Sequence, residues 1–194
     1  VYMQTDHSIK ELVRAILKSS EFVSDRARFA LRKSPIELVV GAIRRLGADY
    51  PVRELFTSLP EDASARMGQR LFSPPNVAGW KPEFWFNTGS LLERFNFATH
   101  LATTRTDAGN QNDALLTIEQ LAAHTVRSPE QTVDNFLRVL GPIPVDAEIR
   151  GALVNYLTTS NGAPVKFKPK APIIDKKVRN LVAIILMLPE SNLQ

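Results

Sequence analysis

A chain without cysteine must draw any chemistry from histidine, carboxylates, amides, hydroxyls and aromatic faces. His7, His100 and His124 stand far apart. None has a carboxylate or a second histidine at metal-ligand spacing, so no metal site is expected and the histidines read as surface or capping residues. Glu83 and Glu93 fall on different elements and read as two solvated acids rather than a catalytic pair. There is no G-x-S-x-G, no P-loop and no dinucleotide fingerprint. No catalytic residue, metal or cofactor is therefore assigned, and whether the protein is an enzyme stays open.

What remains is one unusual stretch, Met67 to Asn96, MGQRLFSPPNVAGWKPEFWFNTGSLLERFN. It holds both tryptophans, Trp80 and Trp85, together with Phe72, Phe84, Phe86 and Phe95. Pro74, Pro75, Gly79 and Pro82 forbid regular structure, while the large apolar side chains demand burial, so an irregular loop is expected to be ordered. It has three readings. As core, Trp80 and Trp85 anchor the loop, and the Gln69 and Asn76 amides satisfy backbone groups that proline-rich structure leaves unpaired. As a ligand site, the exposed faces of Trp80 or Trp85 stack on sugar rings while Gln69, Asn76 and Asn87 supply hydrogen bonds. As an interface, the aromatics anchor another protein or another part of the same one. Asn87-Thr88-Gly89-Ser90 opens the following helix with free amides and hydroxyls, and Arg94 follows about one turn later, which are the ingredients of an anion site for an acidic sugar.

The elements that must hold this stretch are helical. Ile9, Leu12, Val13, Ile16 and Leu17 put one apolar stripe on a helix over 8–18, capped by Asp6 or Ser8. Ser34-Pro35-Ile36-Glu37 is a capping box with proline at the first helical position, and the helix it starts runs to Gly47. The same grammar returns from Ser128 to Gly141, and shared capping chemistry explains it without a duplication. A short helix is expected over 52–58, a turn at 60–62, a helix capped by Asn87 or Thr88 through Ala102, a polar loop over 103–112, and helices over 118–124 and 147–158. Ser160 to Pro172 is expected to be extended, and Asp175 to Leu188 forms a last helix buried on most sides. Every strong periodicity is near 3.6, which gives an all-α fold: an irregular multi-helix bundle with an ordered Pro/Trp-rich central loop. It divides into N-terminal helices (1–66), the loop with its helix (67–103) and C-terminal helices (113–194), as one domain or as the C-terminal lobe of a longer protein.

Composition narrows the partners. Apolar residues are 44% and charged ones 23% of 194, an ordinary globular balance, and the longest apolar run, Leu181 to Leu188, is too short to span a bilayer. The net charge of +4 and pI near 9.5 do not imply nucleic acid. Lys166, Lys168, Lys170, Lys176, Lys177 and Arg179 cluster, but only Phe167 among them could stack on a base, so a solvated connector is expected rather than a specific nucleic-acid site. The chain opens at Val1 without a signal peptide, which reads as a fragment or a processed product.

In order along the chain, SSEF, SPIELVVGAIRRLG, MGQRLFSPPNVAGW, WFN, LLERFNF and LVAIILMLPESNLQ resemble the C-terminal half of the bacterial domain of unknown function (DUF) 1800 family. The resemblance covers nearly the whole chain. It implies an exported protein, periplasmic or secreted, often encoded beside a sulfatase-like protein and of no established biochemical role. It also implies that the family's N-terminal half, with its histidines and tryptophans, is a missing partner. One departure stands out: Lys81-Pro82-Glu83 replaces the Gly-rich turn usual after Gly79-Trp80. These expectations give a helical structural or interaction lobe, with a carbohydrate-binding or carbohydrate-active domain as the alternative.

Overall fold

The computed structural model describes residues 1–48, 60–104 and 115–194, and within them the fold is all-α. The helix expected over 52–58 and most of the polar loop over 103–112 lie outside the described residues. Two compact units are present: Val1–Arg32 with Leu193–Gln194, and Lys33–Asn192.

In the smaller unit, α1 (Ile9–Leu17) starts where Ser8 Oγ accepts from the Glu11 amide at 3.4 Å. Its stripe has the expected spacing, yet no residue of α1 is buried, and Ile9, Val13, Ile16 and Leu17 are all exposed. Periodicity shows that a face exists, not that anything covers it. The segment after α1 forms turns. The Arg32–Leu193 bridge, with Leu31 and Gln194 exchanging backbone hydrogen bonds of 3.0 and 2.8 Å, closes the unit on the chain's end.

The larger unit holds the core. Helix α2 (Pro35–Leu46) carries the complete capping box: the Glu37 amide donates to Ser34 Oγ at 3.3 Å and the Ser34 amide to Glu37 Oε2 at 2.7 Å. It stops at Gly47, in the left-handed region with φ 62°. α3 (Pro60–Arg66) occupies the stretch expected to be a turn at 60–62; Pro60 opens the helix instead of bending the chain, as proline does at a first helical position. α4 (Thr88–Thr103) is capped by Asn87, whose Oδ1 accepts from the Ser90 amide at 2.9 Å while Ser90 Oγ accepts from the Asn87 amide at 3.1 Å. After α5 (Ile118–Ala122), α6 (Pro129–Val139) pairs with α7 (Ala147–Thr158), and a bidentate Arg150–Asp134 contact of 2.7 and 2.8 Å bridges them.

Ser160 to Pro172 is not simply extended. β1 (Thr159–Ser160) and β2 (Ala163–Pro164) form a small hairpin around Asn161-Gly162, both at positive φ, the residue pair that suits a two-residue hairpin turn. Phe167 is buried and pins the arm to the core, while Lys166, Lys168 and Lys170 remain exposed. The last helix begins earlier than expected: α8 (Ala171–Ile173) runs through a π turn, Ile174–Val178, into α9 (Arg179–Met187). Lys176 is exposed as well, whereas Lys177 and Arg179 are structural. Lys177 Nζ donates to the carbonyls of Tyr156, Leu157 and Thr159, closing the C-terminal end of α7. Arg179 is buried between Asp175, at 2.8 Å, and the Ala102 carbonyl, at 3.0 Å.

α4 lies along α9, and α3 bridges α2 and α4. Val39, Met67, Leu101, Phe136, Leu157, Leu181 and Ile185 are wholly enclosed. At the end of α6, Gly141 sits at φ 127°, and Arg45 of α2 reaches over it to donate to the Leu140 carbonyl at 2.7 Å. A side chain at Gly141 would meet the Arg45 guanidinium in a conformation that only glycine adopts freely. Gly141→Ala should therefore cost about 1–3 kcal/mol in urea unfolding. Combined with Arg45→Ala it should cost less than the sum of the two, because both substitutions remove the same contact.

Candidate functional site

The loop from Arg70 to Phe86 is ordered by local bonds and by three anchors. Asn76 Oδ1 accepts from the Ala78 amide at 2.9 Å, and the Gly79 amide donates to the Asn76 carbonyl at 3.0 Å, so Asn76 makes its own turn. A one-turn 3₁₀ helix, Pro82–Trp85, follows. The first anchor is Gln69, buried, whose Oε1 accepts from the Ile36 amide at 3.0 Å and so satisfies a free amide at the start of α2. The second is Trp85, buried against Gly68, with its carbonyl accepting from Ser90 Oγ at 2.7 Å. The third is Arg94.

The start of α4 reads from the sequence either as an anion site with Arg94 in reach or, more simply, as a capped helix whose Arg94 meets its neighbours or solvent, and both leave Arg94 accessible. Arg94 is instead 1% exposed. Its position one turn into α4 turns it inward, toward α2 and the chain's end. Nη1 donates to Asn192 Oδ1 at 2.8 Å, Nη2 donates to the Lys33 carbonyl at 3.0 Å, and the guanidinium lies over the Phe86 ring at 4.5 Å. Nε has no hydrogen-bond partner among the described residues. Burial pushes the Arg94 pKa down to about 10, so the group is still cationic at neutral pH. Lys33 is buried beside it with Nζ donating to the Ser191 carbonyl at 2.8 Å. Its pKa is pushed down to about 8, first by burial and then by Arg45, with Glu37 opposing and Arg94 adding a little. A cavity of about 10 Å³, lined by Lys33, Glu37, Arg45 and Ser191 among others, has room for one water there.

The six residues singled out in the sequence therefore separate. Gln69, Trp85, Asn87 and Arg94 form the loop's foundations, binding it to α2, α4 and the turn Pro189–Asn192. Asn76 is exposed at the tip, and Trp80 is half-buried. The groups that the loop presents outward are others: Phe72 is 95% exposed, Val77 fully so, and Phe84 61%. Phe72 also holds φ at 58°, a conformation costing about 1–2 kcal/mol for a residue with a Cβ. Neither of the cavities described in the molecule is lined by these residues. What the loop offers there is exposed apolar surface on an anchored base. Lys33 and Asn192 carry no sequence signal of their role. The exposure of Phe72 runs against the burial expected of the loop's large apolar side chains.

The lysine makes the foundation sensitive to alkali. Its pKa is about 8 when folded against 10.5 when free, so between those values the unfolded chain binds more protons and stability rises with pH. Below pH 8 the lysine is charged in both states and contributes no slope. Urea unfolding should show a stability gain from pH 8 to 10 that Lys33→Met abolishes.

No curated protein and no solved structure matches the chain. A family model does, over residues 1–193: by this match the chain belongs to the family described as protein of unknown function (DUF1800).

Proposed function

We propose that the chain is a helical interaction lobe whose central loop inserts Phe72, Val77 and Phe84 into an apolar depression on a protein partner. The observation that carries this reading is the exposure of these three side chains on a loop whose base is buried and hydrogen-bonded. Small ligands are held in concave sites, whereas aromatic anchors that project from a rigid support fit the pockets of another protein. An anchored loop also loses little freedom on binding, so more of the contact energy is retained as affinity. The strain at Phe72 fits the same picture, since folding alone would favour glycine or asparagine there.

The family resemblance supports an exported bacterial setting, periplasmic or secreted. There the partner is the remainder of the same polypeptide or a sulfatase-like protein. The second reading, stacking of a sugar on an aromatic face, is favoured by one observation, the half-open Trp80.

Photo-crosslinking residues at positions 72 and 84 in the native host should capture one and the same protein, while position 148, on exposed α7 surface, should not. Phe72→Ser should abolish capture from position 84, and Phe84→Ser capture from position 72, each leaving unfolding within ~0.5 kcal/mol because exposed side chains contribute little to the fold. Equal capture from position 148 would contradict the proposal. Glycan binding that is lost on Trp80→Ala but not on Phe72→Ser would replace it with the second reading.

A further inference from the structure

The arm between the hairpin and α8 carries Lys166, Lys168 and Lys170. Its composition alone reads as a solvated connector, yet the structure anchors it at three points. The Val165 amide donates to the Thr158 carbonyl at 2.7 Å, Phe167 is buried, and the Lys170 carbonyl accepts from the Ile173 and Ile174 amides at 2.9 and 3.0 Å. Phe167 turns into the core between two lysines that stay exposed, the alternation of a half-buried strand. A three-residue turn about Pro169, closed by the Lys170 amide on the Lys168 carbonyl at 2.7 Å, keeps the third lysine beside the second. All three side chains are exposed, and none has a hydrogen-bond or ion-pair partner among the described residues.

From this arrangement we infer that the arm binds a linear acidic polysaccharide, whose carboxylate or sulfate groups meet successive lysines. Charge selects an anion. No aspartate or glutamate lies between Glu148 and Asp175, and Asp175 is paired with Arg179 at 2.8 Å, so the chain around the arm offers these lysines no carboxylate of its own. Shape selects a polymer. Neither of the cavities described in the molecule is lined by the three lysines, so nothing encloses a small ion there. Single exposed charge contacts are weak, and a chain that meets all three at once gains by linkage what each contact lacks.

The neighbouring side chains favour sugar over the other polyanions. Single-stranded nucleic acid is held by stacking bases on aromatic faces, and Phe167, the aromatic residue among the lysines, is buried. Tyr156, nearby in sequence, already lies under Lys177. A bilayer asks for apolar groups to insert as well as cations, and Val165 is the one large apolar side chain of the arm that is exposed. Anchoring adds affinity, since a fixed row of cations loses less freedom on binding than a free tail would. The inference does not rest on either reading of the loop.

The test is titration of the whole chain, at about 0.15 M salt, with polygalacturonate, chondroitin sulfate, dextran, an oligothymidylate, duplex DNA and phosphatidylserine vesicles. Polygalacturonate, chondroitin sulfate or both should bind, and neutral dextran should not; which of the two binds tells carboxylate from sulfate. Replacing Lys166, Lys168 and Lys170 together by serine should weaken that binding about tenfold or more, and replacing them by arginine should retain it. Serine at Lys10, Lys18 and Lys81, which are exposed elsewhere, removes the same charge and should change the affinity by less than about twofold. An equal loss in that control overturns the inference, because the binding would then follow net charge alone. Failure of both acidic polysaccharides to bind overturns it too. Tighter binding of either nucleic acid or of the vesicles would put that polyanion in the polysaccharide's place.

Discussion

The larger unit depends on a positive charge taken out of water without a carboxylate to meet it. Burying an isolated ion is among the most expensive acts available to a fold, and Arg94 is the largest fully buried side chain among the described residues. Its compensation comes from neutral groups alone: the Asn192 amide oxygen, the Lys33 carbonyl and the face of Phe86. These lie at the chain's end, at the start of α2 and at the close of the central loop. One guanidinium thus fixes three distant segments at once. Charge–dipole bonds are directional, so each segment must sit correctly before any of them offsets the desolvation. A second cation, Lys33, shares this neighbourhood, and its pKa is lowered chiefly by the same burial and only secondarily by neighbouring cations.

The rest of the loop follows from that node. With Phe86 held under Arg94 and Ser90 bonded to the Trp85 carbonyl, the exit of the loop is rigid; with Gln69 bonded to α2, so is its entry. Between two fixed ends, Pro74, Pro75 and Pro82 leave few conformations, and Asn76 and Gly79 supply the turn. Phe72, Val77 and Phe84 are the large apolar side chains that this anchored loop leaves in solvent. A strained, solvent-facing phenylalanine is then a property of a loop built for contact rather than for stability.

Much of this was legible in the sequence, through local chemistry. Ser34-Pro35-Ile36-Glu37 and Asn87 announce their helices because a cap is made within four residues. Asn161-Gly162 announced a hairpin just as plainly, and reading the following prolines as one extended arm obscured it. The family followed from the long string at 67–80. What could not be read was tertiary. Arg94 has the spacing of a surface residue at a helix start, and only the approach of Asn192, far along the chain, makes it core. The stripe on α1 was correctly a face, but its exposure depends on what packs against it.

A double-mutant cycle on Arg94 and Asn192 tests the central claim most directly, run in a Trp80→Phe background so that Trp85 alone reports on the base of the loop. If the buried guanidinium organises the unit, Arg94→Ala and Asn192→Ala should each destabilise it by about 2 kcal/mol or more and couple by about 0.5–3 kcal/mol. Trp85 emission should then move to the red in Arg94→Ala under native conditions. Additive effects, with Trp85 emission unchanged, would show that the loop is held without Arg94 and would contradict the account.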